Sequence, residues 1–291
     1  MMSENPDKLR PDTPGFTLWF RFINNRAAVI CLGLLVLLTV LTSIGPIFSP
    51  YSYDHIDTRY LLIGPDLASA HIFGTDLLGR DLFVRTLYGG RVSLLVGIVA
   101  TLVSLLIGVT WGSVAGFIGG KLDHVMMRVV DVLYAMPFVF FAILLMVFFG
   151  RNIVLIFVAI GAVNWLDMAR IVRGQTLTLK ERPFVEAARA LGLSRRRIIS
   201  RHIVPNLFGV VVVYATLIIP QAIMLESFLS FLGLGVSEPM TSWGTLVNAG
   251  ARQIETAPWL LVFPAGFLAT TLFCFNYIGD GLRDALDPHS R

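Results

Sequence analysis

VSLLVGIVATLVSLLIGVTWGSVAGFI occupies residues 92–118 and contains no charged side chain. A helix needs about 20 consecutive apolar residues to cross the hydrocarbon core of a bilayer, so this run is long enough to do so. In lipid, a segment of this length satisfies its backbone hydrogen bonds internally only as a helix. The stretch therefore predicts a transmembrane α-helix and indicates an all-α polytopic membrane protein.

The composition of the whole chain supports this prediction. Of its 291 residues, 55% are hydrophobic and 14% are charged, whereas soluble domains average about 25% charged residues. Five more apolar runs approach spanning length, at residues 27–48, 132–150, 153–169, 207–225 and 257–278. We therefore expect six transmembrane helices between residues 27 and 279, with long external segments at 49–90 and 230–256. Loops of such length are usually functional.

The placement of basic residues predicts the orientation. With both termini in the cytoplasm, the cytoplasmic segments hold 17 of the 23 Lys and Arg residues and the external segments hold 6. The chain is therefore expected to cross a membrane several times with its N- and C-termini on the cytoplasmic side. The tail 1–26 would include a short interfacial helix near residues 16–22, and residues 280–291 would form a cytoplasmic tail. The lipid bilayer is an expected partner, and no nucleic-acid partner is expected.

The cytoplasmic segment 174–205 combines dense positive charge with helix signals. Pro183 can start a helix over residues 184–191 that ends at Gly192, and Ser194 can cap a second helix that stops before Pro205. An apolar stripe follows the first helix, at Val185, Ala188 and Leu191. Such a pair of helices could be gripped by a soluble partner. The alternative is a basic loop that only fixes topology, which would not require these ordered positions.

The same segment resembles the EAA loop of permease subunits of bacterial ABC importers. That pattern runs E-A-A, three residues, Gly, nine residues and I-x-L-P; residues 186–188, Gly192 and Pro205 match it. His202 and Val204 depart from the family's Ile and Leu. That departure resembles the dipeptide and oligopeptide branch, and so do five stretches: RHIVPN at 201–206, FGTDLLGRD at 73–81, FLSFLGLG at 228–235, SWG at 242–244 and GDGLRDALDP at 279–288. WLDMARIVRGQ at 165–175 and FCFN at 273–276 look especially like the C-type permease subunit of the oligopeptide importer.

The resemblance implies the type I ABC importer permease fold, a location in the bacterial inner membrane, and a complex with several other subunits. The partners would be a second homologous permease, two ATPase subunits and a periplasmic peptide-binding protein, with peptide as substrate. The residues expected to couple to the ATPase are Glu186, Ala187, Ala188, Gly192, Leu193, Ser194, His202 and Pro205. We predict that the translocation pathway is lined by Met136, Phe140, Met224, Glu226 and Phe228. Related permeases import dipeptides, nickel, glutathione or antimicrobial peptides, so these cargoes stay as alternatives.

The chain lacks the motif of a nucleotide-binding loop. Gly119-Gly120-Lys121 is followed by Leu122 rather than Ser or Thr, and it joins two spans with no strand before it. Neither a nucleophile–base arrangement nor a cluster of metal ligands is evident in the sequence. We therefore expect no enzymatic activity and no bound cofactor, with ATP and Mg²⁺ held by the partner ATPases.

A proton-coupled secondary transporter is the second hypothesis, and it would use Asp131, Asp167 or Glu226. We expect Asp131 to pair with Arg128, and Asp167 with Arg170, at i, i+3 spacing. Glu226 would line the pathway or pair with an external arginine. A structural membrane anchor is a third interpretation, but it gives the long external segments no purpose.

Small residues and prolines within the spans predict how the helices pack and bend. Gly108, Gly112 and Gly116 would let another helix approach closely, either inside the chain or at a subunit interface. Pro137 and Pro220 favour kinks that could act as hinges. Cys31 and Cys274 lie in apolar runs, so we expect packing residues rather than a disulfide.

Overall fold

A computed structural model describes residues 21–149 and 153–286, and it is helical almost throughout. Residues 16–20 of the expected interfacial helix, and the last five residues, lie outside this part. The elements in chain order are α1 (Arg26–Phe48), α2 (Leu82–Ile118), α3 (Gly120–Ala135), α4 (Phe138–Phe149), α5 (Ile153–Leu179), α6 (Pro183–Ala190), α7 (Arg195–Ile198), a π-helical turn (Ile199–Ile203), α8 (Val204–Phe231), α9 (Trp243–Ala251) and α10 (Trp259–Leu286). The described residues form two isolated β-bridges and no longer strand.

Four described helices are long and apolar enough to cross a bilayer. They are α1, α2, the continuous helix Arg195–Phe231 and α10. The third expected span, 132–150, is divided, because α3 ends at Ala135 and α4 begins at Phe138. Met136 before Pro137 is extended, with ψ of 127°, as the proline ring requires of its predecessor. Pro137 thus breaks the helix, whereas Pro220 lies inside the continuous α8. The count of six spans stays a prediction.

Several helices are longer than expected, because their charged residues have partners. α2 begins at Leu82, ten residues before the uncharged run, with Asp81 as its cap: the Asp81 carboxylate accepts the Val84 N–H at 2.8 Å. Arg91, inside this helix, donates to the Thr42 carbonyl of α1 at 2.7 Å. The first of the two segments expected to be external therefore shortens to residues 49–81. The second keeps its length, shifts to residues 232–258 and contains α9.

The glycines of α2 pack within the chain. A Cβ atom at Gly108 would lie 2.6 Å from Met168 Cβ, and one at Gly112 would lie 2.4 Å from the Ala169 carbonyl oxygen. One at Gly116 would lie 2.8 Å from the Arg173 carbonyl oxygen. Of the two expectations for this stripe, packing inside one subunit is confirmed. The stripe is the contact surface that fixes α2 on α5.

Buried clusters join the remaining helices. One contains Val96 of α2, Ala142 of α4, Ile160 of α5 and Leu229 of α8. Another joins α1 to α10 and includes Cys31 and Cys274, which are buried and free. Both cysteines are packing residues, as predicted.

Ion pairs connect α3 to α5, and they differ from those expected. Arg173 donates two hydrogen bonds to the Asp123 carboxylate, at 2.6 and 2.7 Å. Arg170 bonds Asp131 at 2.9 Å and lies over the Tyr134 ring, 4.3 Å from its centroid. The predicted pairing of Asp131 with Arg128, and of Arg170 with Asp167, was wrong. The facing helix supplies Arg170 with a carboxylate and an aromatic ring together, and a neighbour on its own helix does not.

We expect Asp123→Asn to weaken the attachment of α3 by about 2 kcal/mol, because charge-assisted hydrogen bonds to a buried carboxylate are lost. Asp123 is only 5% exposed. The Arg173 guanidinium holds the pKa of Asp123 below its ordinary value. A lowered carboxyl pKa stabilises the fold above the unfolded value of about 3.9 and loses that effect as the pH falls through the folded pKa.

Thermal unfolding of the detergent-solubilised protein at several pH values would measure both the destabilisation by Asp123→Asn and the loss of stability at low pH. Asp131→Asn is the matched control, since the Asp131 side chain is 53% exposed and such pairs contribute at most about 1 kcal/mol. Equal losses in the two variants would contradict the prediction.

Candidate coupling site and pathway face

The predicted coupling loop, residues 174–205, begins inside α5, which continues to Leu179. Its remaining part, residues 180–205, is called the coupling segment and forms two helical pieces joined by a tight turn. Pro183 is the first residue of α6, where its missing N–H is no loss, and Glu186 lies in the first turn, where the helix dipole favours a carboxylate. Gly192 ends the helix with φ of +75°. Leu193 N–H donates to the Ala188 carbonyl at 3.2 Å and Gly192 N–H to the Arg189 carbonyl at 2.9 Å. This is a Schellman cap, which requires the left-handed conformation at Gly192.

One face of α6 is buried in the chain's own core. Val185 is fully buried and Ala188 is 3% exposed, in a cluster that also contains Met168 of α5 and Ile203 of the π-helical turn. Leu191, the third residue of the predicted stripe, is instead 81% exposed, because it caps the helix beyond the contact. Val185 and Ala188 therefore attach α6 to the bundle, and they do not face a partner.

The other face of the coupling segment is open. Glu186, Ala187, Gly192, Ser194 and Pro205 are exposed, whereas Leu193 and His202 are half-buried. Of the eight predicted coupling residues, only Ala188 is buried. The exposed residues lie on one short, charged projection, which suits a docking surface.

Arg189 connects this segment to the end of α2. Its guanidinium lies 5.2 Å from the centroid of the Phe117 ring. A cavity of about 450 Å³ beside this contact is lined by Phe117, Ile118, Arg189, Leu193, Arg195 and Ile198. α6 therefore contacts α2 through Arg189, in addition to its contacts with α5 and the π-helical turn.

The second helical piece was predicted to stop before Pro205, and this prediction was wrong. Helix continues from Arg195 to Phe231 through the π-helical turn. Proline lacks an N–H and clashes with the carbonyl four residues earlier, so a widened turn lets it enter without a break. The side-chain amide of Asn206 donates to the His202 carbonyl at 2.6 Å, within that turn. Ser194 stands at the cap position, but its side chain makes no capping hydrogen bond.

Four of the five residues guessed for the pathway are on the surface of the chain. Met136 is 44% exposed, Phe140 65%, Met224 59% and Phe228 46%. All four are apolar, so they are open to contact by a partner subunit, lipid or cargo. Their assignment to the pathway stays a prediction.

Glu226 is the exception, since the structure places it in the interior with no exposed surface. Its carboxyl group accepts from Ser230 Oγ at 2.7 Å and from Ser93 Oγ at 3.2 Å. Ser93 Oγ in turn accepts the backbone N–H of Trp243, at the start of α9. In this structure Glu226 neither lines a surface nor pairs with an external arginine. It joins α2, α8 and α9 in one hydrogen-bond network, which its apolar neighbours in sequence did not indicate.

No cluster of three or more His, Cys, Asp or Glu side chains that could hold a metal ion occurs in residues 21–149 and 153–286. The geometry is that of a bundle of long apolar helices, with the coupling segment as a short charged projection.

Comparisons with known proteins agree with this geometry. The family described as binding-protein-dependent transport system inner membrane component matches residues 108–291, and the N-terminal TM domain of oligopeptide transport permease C matches residues 13–65. The oligopeptide transport system permease protein OppC of Escherichia coli K12 is 57% identical over 96% of this chain and 94% of its own length.

Two further relatives are more distant in sequence. OppC of Haemophilus influenzae is 54% identical over 95% of this chain and 90% of its own, and the dipeptide permease DppC of Bacillus subtilis is 46% identical over 94% and 85%. Among solved structures, a chain of the inward-facing MetNI methionine ABC transporter superposes with a TM-score of 0.56 at 17% identity, over 71% of this chain and 97% of that one. The last similarity shows the fold alone, and it is the fold of an ABC importer permease.

Proposed function

The chain belongs to the family of binding-protein-dependent transport inner membrane components, and from this premise we propose that it is the permease subunit of an ATP-driven oligopeptide importer. Relatives named as oligopeptide permeases cover nearly the whole chain, which supports peptide as the cargo. The observation that carries the proposal is the capped coupling segment, anchored by Val185 and Ala188 and exposed at Glu186. This arrangement is suited to receive force from a separate protein.

The proposed assembly contains this chain, a homologous permease, two ATPase subunits and a periplasmic binding protein that delivers the peptide. ATP and Mg²⁺ are held by the ATPases, and this chain catalyses no reaction. Both termini face the cytoplasm, which puts the coupling segment on the same side as ATP and the 49–81 and 232–258 segments in the periplasm. The basic residues around Gly192 support this orientation.

Coupling would proceed through the contacts of α6. Closure of the ATPases displaces α6, and its buried face passes the displacement to α5 and to the helix that begins at Arg195. The bundle then exchanges inward-open and outward-open arrangements by small rigid-body movements of helices. The extended break at Met136 and Pro137 is a natural position for bending, because no helical hydrogen bond crosses it.

Reconstitution in liposomes tests the function. We expect the chain alone to transport no peptide, and the complete assembly to accumulate radiolabelled tri- to pentapeptides only when ATP is inside the compartment that corresponds to the cytoplasm. Peptide uptake by the chain alone, driven by a proton gradient, would contradict the proposal and support the secondary transporter.

A dipeptide cargo is the second candidate, because DppC is 46% identical to this chain. Competition between unlabelled dipeptides and pentapeptides in the same assay separates the two. Stronger inhibition by dipeptides would reassign the cargo and leave the mechanism of coupling intact.

A further inference from the structure

A cavity of about 330 Å³ lies between the segment before α2 and the segment before α9. Its polar lining consists of Asp76, Arg80, Arg85, Glu238, Thr241 and Thr245. The FGTDLLGRD stretch, which the coupling mechanism does not use, forms one wall. The cavity is therefore separate from both the coupling site and the residues guessed for the pathway.

Asp76 is a fixed partner of the two arginines. Its Oδ1 accepts the backbone N–H groups of Leu78 at 2.9 Å and Arg80 at 3.0 Å. Its Oδ2 accepts from Arg80 Nε at 2.7 Å and lies 3.5 Å from Arg85 Nε. Three hydrogen bonds thus hold this carboxylate, which is 9% exposed, and Arg85 Nε lies beside it without forming a hydrogen bond. Asp76 is therefore not available for exchange.

Asp76 neutralises one of the two positive charges in the cavity, and the neutralisation of the other depends on Glu238. Arg80 and Arg85 are 8% and 4% exposed, and Arg85 otherwise bonds the Tyr53 carbonyl through Nη1. Two buried guanidinium groups need two negative charges, since an uncompensated buried charge is strongly unfavourable. The second negative charge is that of Glu238, whose carboxylate lies 3.1 Å from Arg80 Nη2. Glu238 is at the mouth of the cavity, and its side chain is 67% exposed.

Glu238 is the replaceable member of this set. An ion pair with one exposed partner is weak, because water competes for the carboxylate. A carboxylate that arrives with its own buried surroundings would bind Arg80 more strongly than Glu238 does. The mouth is flanked by Leu77 and Leu78, 50% and 39% exposed, which offer apolar contact around the polar centre.

We propose that this cavity receives a carboxylate side chain of the periplasmic binding protein, which displaces Glu238 from Arg80 when that protein docks. The proposal rests on the proposed function, which places these segments in the periplasm. The volume is near the lower end of the range for small-molecule sites, about 300–1,000 Å³, and suits one or two side chains better than an oligopeptide. Arg80, once it is released by Glu238, selects an acidic group.

Affinity of the peptide-loaded binding protein for the permease–ATPase complex in nanodiscs tests this. We expect Glu238→Gln to lower the dissociation constant about threefold, because the internal competitor is removed. Arg80→Gln should raise it tenfold or more, because the docked carboxylate loses its partner. Glu255→Gln is the control, since it removes an exposed carboxylate from the adjacent segment between α9 and α10 and should change nothing.

Each outcome decides the matter. An unchanged or weakened affinity in Glu238→Gln overturns the proposal, and this variant alone suffices if Arg80→Gln does not fold. Tighter binding of free peptide acids, but not peptide amides, to Glu238→Gln complexes without binding protein would overturn it in favour of a cargo site. If the wild-type complex assembles and transports peptide while Glu238→Gln docks normally, only this inference fails and the proposed function stands.

Discussion

We expect Gly192→Pro to lower ATPase association and peptide uptake at least about a hundredfold, while the protein still inserts into the membrane. Proline fixes φ near −65°, whereas Gly192 has φ of +75°. It also removes the N–H that bonds the Arg189 carbonyl at 2.9 Å. The Schellman cap cannot form, so α6 and α7 lose their mutual orientation and the docking projection is dismantled.

Two further variants sharpen this prediction. Gly192→Ala should give a much milder defect, because no atom lies within 4 Å of its Cβ position and only backbone strain of about 1–2 kcal/mol is introduced. Glu186→Lys should also abolish uptake, through the reversed charge on the exposed face of α6. Co-purification with the ATPases and uptake of labelled peptide measure both effects. Normal uptake by Gly192→Pro at normal expression would refute the coupling role.

Gly112→Leu prevents the chain from folding, because its backbone contact with α5 leaves no room for a side chain. A Cβ atom there would already lie 2.4 Å from the Ala169 carbonyl oxygen and 2.9 Å from Arg173 N. Backbone atoms of a packed helix cannot move aside as a side chain could, so the strain exceeds the roughly 1–3 kcal/mol of ordinary overpacking. Gly112→Ala should itself destabilise by about 2 kcal/mol.

Gly174→Ala and Gly266→Ala are the controls, since no atom lies within 4 Å of either Cβ position. Both lie inside helices, where alanine is favoured over glycine by up to about 1 kcal/mol, so their stability should stay equal or rise. The midpoint of thermal unfolding in detergent and the yield of monodisperse protein measure the difference. A Gly112→Ala protein as stable as Gly174→Ala would show that α2 and α5 are not held at this distance.

The sequence was sufficient for the membrane class and for the first helix of the coupling segment. Long uncharged apolar runs are a direct signal of a transmembrane helix. Pro183 and Gly192 act on the backbone within a few residues of their own positions, so α6 has the predicted limits. The helix starts were harder to predict. From the sequence alone, Arg85 and Arg91 were expected in a loop. Inside the helix they bond the carbonyls of Tyr53 and Thr42, which lie 32 and 49 residues away in the sequence.

The interior polar groups could not be predicted for the same reason. Glu226 follows a long apolar run, which suggested an exposed end of a span. Its position is set by Ser93, on a helix 133 residues distant in sequence. Only the packing of α2 against α8 brings these groups together, and no local pattern carries that information.

Continuity from Arg195 to Phe231 has a geometric consequence for transport. At 1.5 Å per residue, this helix of 37 residues is about 55 Å long, so a swing of about 5° around its Arg195 end carries the Phe231 end about 5 Å. In the proposed mechanism, the length of the helix thus converts a small displacement at α6 into a larger one at the opposite end. No signal needs to be relayed from one side chain to the next.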